Sequence, residues 1–257
     1  MHSSIKKFIL KSLVLLIYLT NFGLLHAKKA SLSVQHKTSS ASQEIKKLVD
    51  GNKQFHDKYF APSSPYKSFY NKLVVEGQNP KIMLISCSDS RVDPSMIFNC
   101  LPGELFVVRN VANLVPPYQS DGAYHGTSAA LEYGVNALEV NHIIILGHTQ
   151  CGGIQSLFNA TDQLKKEKSD SFITKWMELA RPAYEKVTTK YGSESLKTKT
   201  TLCEQYTLVN SLNNLKTFPW IQKRIKEGKL QIHAWYFDLA TGTIHMYNQQ
   251  KKNWSSL

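Results

Sequence analysis

The sequence predicts an α/β fold: a central, mostly parallel β-sheet flanked by helices, with an N-terminal helical arm and a C-terminal antiparallel hairpin. Three observations carry that expectation. Short continuous runs rich in β-branched residues stand at 82–85, 105–108 and 142–146, the pattern of strands buried on both faces. A helix-like stretch at 126–138 separates the second run from the third, and strands joined by such crossovers form parallel sheets. Finally, the segments 230–239 and 243–247 flank Gly242, as the arms of a hairpin flank its turn.

The remaining elements follow in order. At 42–59 the apolar residues Ile45, Leu48, Val49 and Phe55 recur at helical spacing behind Ser42, a suitable N-cap. A Pro-rich connector at 61–65 and a turn at Gly77-Gln78-Asn79-Pro80 lead to the first strand. Long helical stretches occupy 172–190 and 194–216. With 257 residues and 42% hydrophobic content, one substantial core is expected. We place the domain at 41–250 and a short tail at 251–257.

The first 27 residues read differently. Lys6, Lys7 and Lys11 precede an uncharged, largely apolar run at 12–25, the layout of a secretory signal. That run is shorter than the roughly 20 residues a membrane span needs. Leu25-His26-Ala27 offers a small residue at the cut, so cleavage after Ala27 is expected, with a buried N-terminal helix or an uncleaved anchor as the alternatives. Residues 28–40, rich in Ser and Lys, read as a flexible arm. The mature protein is then expected to be periplasmic or secreted, with no stable membrane partner.

The formal charge of +12 suits an anionic partner, but the basic residues are scattered, do not alternate with aromatics and form no nucleic-acid module. They read as solvated surface. Of the four cysteines, Cys100 and Cys203 lie in apolar neighbourhoods where a buried thiol is common. Export permits disulfides, so a bond between these two remains open from sequence.

Chemistry concentrates in two segments at strand ends, where ligands bind in such sheets. Cys87-Ser88-Asp89-Ser90-Arg91 follows the first strand, and His148-Thr149-Gln150-Cys151-Gly152-Gly153 follows the third. Cys87, His148 and Cys151 form a soft nitrogen and sulfur set suited to Zn²⁺. Three protein ligands leave a fourth position open, as in catalytic sites. Gly152 and Gly153 open the next helix, where free backbone N–H groups favour an anion and the backbone can approach closely.

These segments, together with Pro102-Gly103-Glu104, Arg109-Asn110-Val111-Ala112-Asn113 and Gly147, resemble the β-class carbonic anhydrases, over roughly residues 78–157 and more weakly to about 248. The resemblance implies reversible hydration of carbon dioxide to bicarbonate and a proton, by attack of zinc-bound hydroxide on CO₂. Two thiolates acidify water less than imidazoles would, so Asp89 and Arg91 are expected to help hold the hydroxide. The resemblance also implies that Asp89, once freed from Arg91, serves as a fourth zinc ligand and closes the site.

Gln78, Phe106 and Tyr133 match the residues that line the CO₂ pocket in plant-type members, supplied across a dimer interface, so a homodimer or higher homo-oligomer is implied. Relatives with an inhibitory bicarbonate site carry Trp three residues before the first zinc cysteine; this chain has Leu84, and no such switch is expected. Two other readings stand beside this one. One is a related zinc hydrolase of carbonyl sulfide or carbon disulfide. The other is a non-catalytic exported zinc or redox protein, whose function gives an Asp89–Arg91 pair no role.

Overall fold

A computed structural model describes residues 41–121, 123–159 and 171–257; the expected signal (1–27) and arm (28–40) lie outside them. The chain divides into two units, Met1–Lys67 and Ser68–Leu257. The first contains α1 (Ala41–Tyr59), where the sequence places a helix. Glu44 in its first turn and His56 and Lys58 in its last complement the helix dipole, and Lys46 pairs with Asp50 one turn on at 2.7 Å. Within this unit the Phe55 ring packs on Tyr59 and Phe60, while Ile45, Leu48 and Val49 remain exposed.

The second unit is built on a six-stranded sheet of order β2-β1-β3-β4-β5-β6. Its strands are β1 (Ile82–Cys87), β2 (Leu105–Asn110), β3 (His142–His148), β4 (Gln231–Phe237), β5 (Ile244–Asn248) and β6 (Asn253–Ser256). The first four pair in parallel; β5 and β6 are antiparallel additions. Strands β1 and β3 are buried almost throughout. Strand β2 is not, contrary to expectation: among the described residues it has only one neighbour, its residues are half-buried or exposed, and its apolar sequence does not reveal that edge position. Residues 253–256, expected in a tail, instead form the outermost strand, extending the hairpin to three strands.

The helices are α2 (Lys67–Glu76), α3 (Pro94–Ile97), α4 (Gly126–Glu132), α5 (Gly152–Asn159), α6 (Phe172–Met177), α7 (Arg181–Lys190), α8 (Leu196–Leu215) and α9 (Pro219–Lys226). The stretch at 126–138 is helical but widens after α4 into a π-turn at Tyr133–Ala137, where the Leu138 N–H reaches back to Tyr133 O. The stretch at 172–190 is two helices joined by a 3₁₀ turn. Pro182, in the first turn of α7, lacks the N–H that a continuous helix would need from it. Ser195 caps α8 by accepting from the Thr198 N–H.

Side chains alternate along each strand, so the sheet buries two faces. Met83, Ile85, Ile143 and Ile145 pack with Leu208, Leu212 and Leu215 of α8 and with Phe218 and Ile221. Leu84, Ile144 and Leu146 pack with Ile244, Phe98 and Trp235. A Cβ added to Gly147 would stand 2.8 Å from Leu208, so the glycine lets α8 lie close against the end of β3. That contact fixes α8 beside the strand carrying His148. Among the described residues, no helix is long and apolar enough to cross a membrane.

Candidate metal centre

The carboxyl ends of β1 and β3 lie side by side, and the short loop after β3 brings the third donor to them. Cys87, His148 and Cys151 are all buried, and their ligand atoms lie within 4.8 Å of one another. A tetrahedral zinc with metal–sulfur distances near 2.3 Å and metal–nitrogen distances near 2.0–2.1 Å needs donor separations of about 3.5–3.8 Å, within that span. His148 Nδ1 lies 2.9 Å from Thr149 O, an arrangement that places the proton on Nδ1 and the lone pair on Nε2. That Nε2 is buried without a hydrogen-bond partner, which is costly unless a ligand takes its lone pair. The donor set therefore fits zinc.

The two sulfurs share one proton as side chains alone. A hydrogen bond from Cys151 outweighs burial and lowers the Cys87 pKa to about 4, while that same hydrogen bond, burial and the Cys87 charge push Cys151 well up. A divalent cation stabilises both as thiolates, because coordination replaces the proton.

Asp89 and Arg91 form a planar clamp beside this group. Arg91 Nε and Nη2 donate to the two carboxylate oxygens of Asp89 at 2.9 and 2.7 Å, and the Arg91 backbone N–H adds a third bond at 2.9 Å. The clamp is tied to the second segment by Arg91 Nη2 donating to Gln150 O at 3.1 Å. Asp89 Oδ2 lies 3.9 Å from His148 Nε2. The Arg91 guanidinium holds the Asp89 carboxyl well below the usual carboxylate range, against a smaller opposing effect of burial. Asp89 therefore stays an acceptor at neutral pH.

Sequence reasoning gave no role to the residues that hold these segments in place, although Arg109 stands among the motif residues. Arg109 on β2 donates from Nε to Cys87 O at 3.0 Å and from Nη2 to Asp89 O at 2.7 Å. Behind Cys151, the buried Glu204 of α8 accepts the Cys151 N–H at 2.9 Å and the Tyr236 O–H at 2.5 Å. Burial raises the Glu204 pKa to about 6 against those hydrogen bonds. Its signal was in the sequence: Glu204 is the sole acidic residue of α8 and sits between buried Cys203 and Thr207. Glu204 and Tyr236 also line a cavity of about 860 Å³ with Gln150 and Thr200.

The two glycines differ. A Cβ on Gly153 would stand 3.0 Å from Val111 Cγ1 and 3.2 Å from Ala112 Cβ, whereas one on Gly152 meets nothing. Close approach is thus required at Gly153, while Gly152 leaves its surroundings open. Gln150, between the two ligands of the loop, adopts φ +58°, a left-handed conformation that costs a side chain some strain.

Gln78 is exposed in the turn before β1. The rings of Phe106 and Tyr133 pack on each other at 5.8 Å. Phe106 pairs in register with Met83, four residues before Cys87, or about 13 Å along the strand. A single chain therefore does not bring Phe106 to the Cys87 group. Cys100 and Cys203 are free thiols: Cys203 is enclosed among Ala180 and Val187, while Cys100 Sγ reaches Phe98 O at 3.7 Å.

Three buried donors of the Cys₂His type at the carboxyl ends of a parallel sheet, with a fourth side left to an ionised acceptor, define a zinc enzyme rather than a structural zinc site. The carbonic anhydrase family model matches residues 82–244. Beta carbonic anhydrase 3 of Arabidopsis thaliana is 31% identical over 229 residues, covering 89% of this chain and 86% of that protein. The chloroplastic beta carbonic anhydrase 5 of the same plant is 37% identical over 68% of this chain, which spans only 57% of its length. The solved β-carbonic anhydrase CcaA is 30% identical with a TM-score of 0.75, over 83% of this chain and all of that one. The tetrameric β-carbonic anhydrases of Sordaria macrospora include a structure with a TM-score of 0.67 at 27% identity, over 80% of this chain and 96% of that one. The chain belongs to the β-carbonic anhydrases.

Proposed function

We propose that this chain catalyses the reversible hydration of carbon dioxide to bicarbonate and a proton at a zinc ion held by Cys87, His148 and Cys151. The observation that carries the proposal is the unpartnered, buried Nε2 of His148 facing two cysteine sulfurs, with the Asp89 carboxylate clamped 3.9 Å away. When bound there, zinc supplies the Lewis acidity that makes hydroxide available near neutral pH as the nucleophile for CO₂.

The protein residues perform the rest. Asp89, kept ionised by Arg91, accepts a hydrogen bond from the attacking oxygen species and so sets the direction of its lone pair. Arg91 holds both carboxylate oxygens, which keeps Asp89 in the orienting position instead of the closed one. Arg109 fixes the backbone of the first segment, and Glu204 that of the second. Gly152 and Gly153 let the loop backbone approach the substrate.

Gln78, Phe106 and Tyr133 are read as substrate-binding residues of the plant-type subclass, given to the site of a second copy in a homo-oligomer. Three features support assembly: the separation of Phe106 from Cys87 along the sheet, the edge of β2, unpaired among the described residues, and the exposure of Tyr133 at 50%. The charged-then-apolar N-terminus supports export to the periplasm or outside the cell, with the mature chain beginning at Lys28.

The clamp is tested by Arg91→Ala in zinc-loaded protein. A drop in CO₂ hydration rate of about 10- to 100-fold is expected, with zinc content unchanged. An unchanged rate would remove the role assigned to Asp89.

A further inference from the structure

At the opposite end of the strand that carries His148, a second pair of imidazoles converges. His142 opens β3 and His233 lies on β4. These strands pair in parallel with Ile144 opposite His233, so His142 is the diagonal neighbour of His233 on the same sheet face. His142 Nδ1 and His233 Nε2 stand 3.2 Å apart, with ring planes inclined at 37°. Both rings are half-buried, and among the described residues neither makes another side-chain hydrogen bond.

Two neutral imidazoles at this separation have limited use for each other, since one shared proton joins them at most. The distance has a second meaning. In a tetrahedral complex with metal–nitrogen bonds near 2.0–2.1 Å, two nitrogens on one ion lie about 3.3 Å apart, close to the separation observed. Both rings come from adjacent strands of the core sheet, so their backbones are held whether or not a ligand is present. Burial, and secondarily the neighbouring His142, lower the His233 pKa below the ordinary imidazole value. That favours the neutral form a metal requires.

We propose that His142 and His233 form a second site for a divalent transition metal of the imidazole-preferring class (nickel, copper or zinc), separate from the Cys87–His148–Cys151 centre. His148 lies six positions along β3 from His142, about 20 Å along the strand. The two sites therefore differ in position and in donor softness. The Cys₂His group selects zinc through its thiolates, whereas the pair offers nitrogen alone and leaves its other positions to water.

The test uses the full chain, without an affinity tag and already loaded with one zinc, in equilibrium dialysis against Ni²⁺. Nickel spares the experiment the thiol oxidation that copper brings. The protein has other histidines, so the readout is a difference between parent and variants. The parent should bind one more nickel per chain than His142→Ala or His233→Ala, with zinc content and CO₂ hydration rate the same in all three. His142→Gln, closer in size and polarity, serves if the alanine variant folds poorly, and should show the same loss. The Trp235 ring lies 6.3 Å from that of His233, so nickel should also quench tryptophan fluorescence in the parent and not in the variants. Equal nickel stoichiometry in parent and variants, or quenching that survives both substitutions, would overturn the proposal.

Discussion

Glu204 offers the most quantitative test of how the second segment is held. The residue is 4% exposed, and its carboxylate accepts from two donors, the Cys151 N–H and the Tyr236 O–H. Glu204→Ala leaves both donors without an acceptor. A buried group so orphaned costs about 1–3 kcal/mol, giving a range of about 2–6 kcal/mol for the pair. Because Glu204 also lines the 860 Å³ cavity, water can enter and satisfy part of that loss, which places the expected cost at the lower end, about 2–3 kcal/mol. Glu204→Gln keeps one acceptor oxygen, so about 1–2 kcal/mol is expected. The loss should register in two independent assays. Urea unfolding of the zinc-loaded protein gives the stability change, and chelator competition gives zinc affinity, expected to fall about 10- to 100-fold because the Cys151 backbone is no longer held. A Glu204→Ala protein with the parent's urea midpoint and zinc affinity would refute the assignment of Glu204 as the residue that positions Cys151.

Other substitutions read single contacts. Gly153→Ala pushes a methyl to 3.0 Å from Val111 Cγ1 and 3.2 Å from Ala112 Cβ, and should destabilise the protein by about 1–3 kcal/mol in urea unfolding. Gly152→Ala, with nothing within 4 Å, should unfold within about 0.5 kcal/mol of the parent. His233 has its pKa lowered in the fold from 6.5 by burial, then by His142. The unfolded chain therefore takes the proton first, and stability falls as pH drops through 6.5 and on toward the folded value. His233→Gln should lose less stability than the parent between pH 7 and about 5.5, measured by urea midpoints. Leu84, buried on β1, stands where bicarbonate-switched relatives carry Trp, so steady-state rates should show no cooperative inhibition by bicarbonate.

The donors of the metal centre were legible because zinc chemistry restricts residue type and because both segments fall at strand ends, where the chain direction alone brings them together. Cys87 and His148 are the last residues of two adjacent parallel strands, and sequence order suffices to place them. Strands β1 and β3 were legible for a similar reason: burial on both faces leaves a continuous apolar run. Strand β2 carries the same kind of run, and only its position at the sheet edge, set by the whole topology, leaves it half exposed. Residues 253–256 escaped notice because Asn253, Ser255 and Ser256 lack the apolar pattern of a strand; they pair because β5 presents an open edge. Arg109 and Tyr236 act by hydrogen bonds to backbone or to Glu204 across 20 to 32 residues, and no local pattern announces such partners; Glu204 is marked in the sequence only as the one acidic residue of its helix. Gln78, Phe106 and Tyr133 were singled out through the family resemblance, and without it the two aromatics read as ordinary core residues.

The measurement that bears most directly on the central claim is stopped-flow proton release on mixing CO₂ with protein prepared at a series of zinc contents. The account predicts a hydration rate proportional to zinc bound, up to one ion per chain at the Cys87–His148–Cys151 centre, and its loss together with that zinc in Cys151→Ser. Protein carrying one zinc at that centre with no rate above buffer would contradict it.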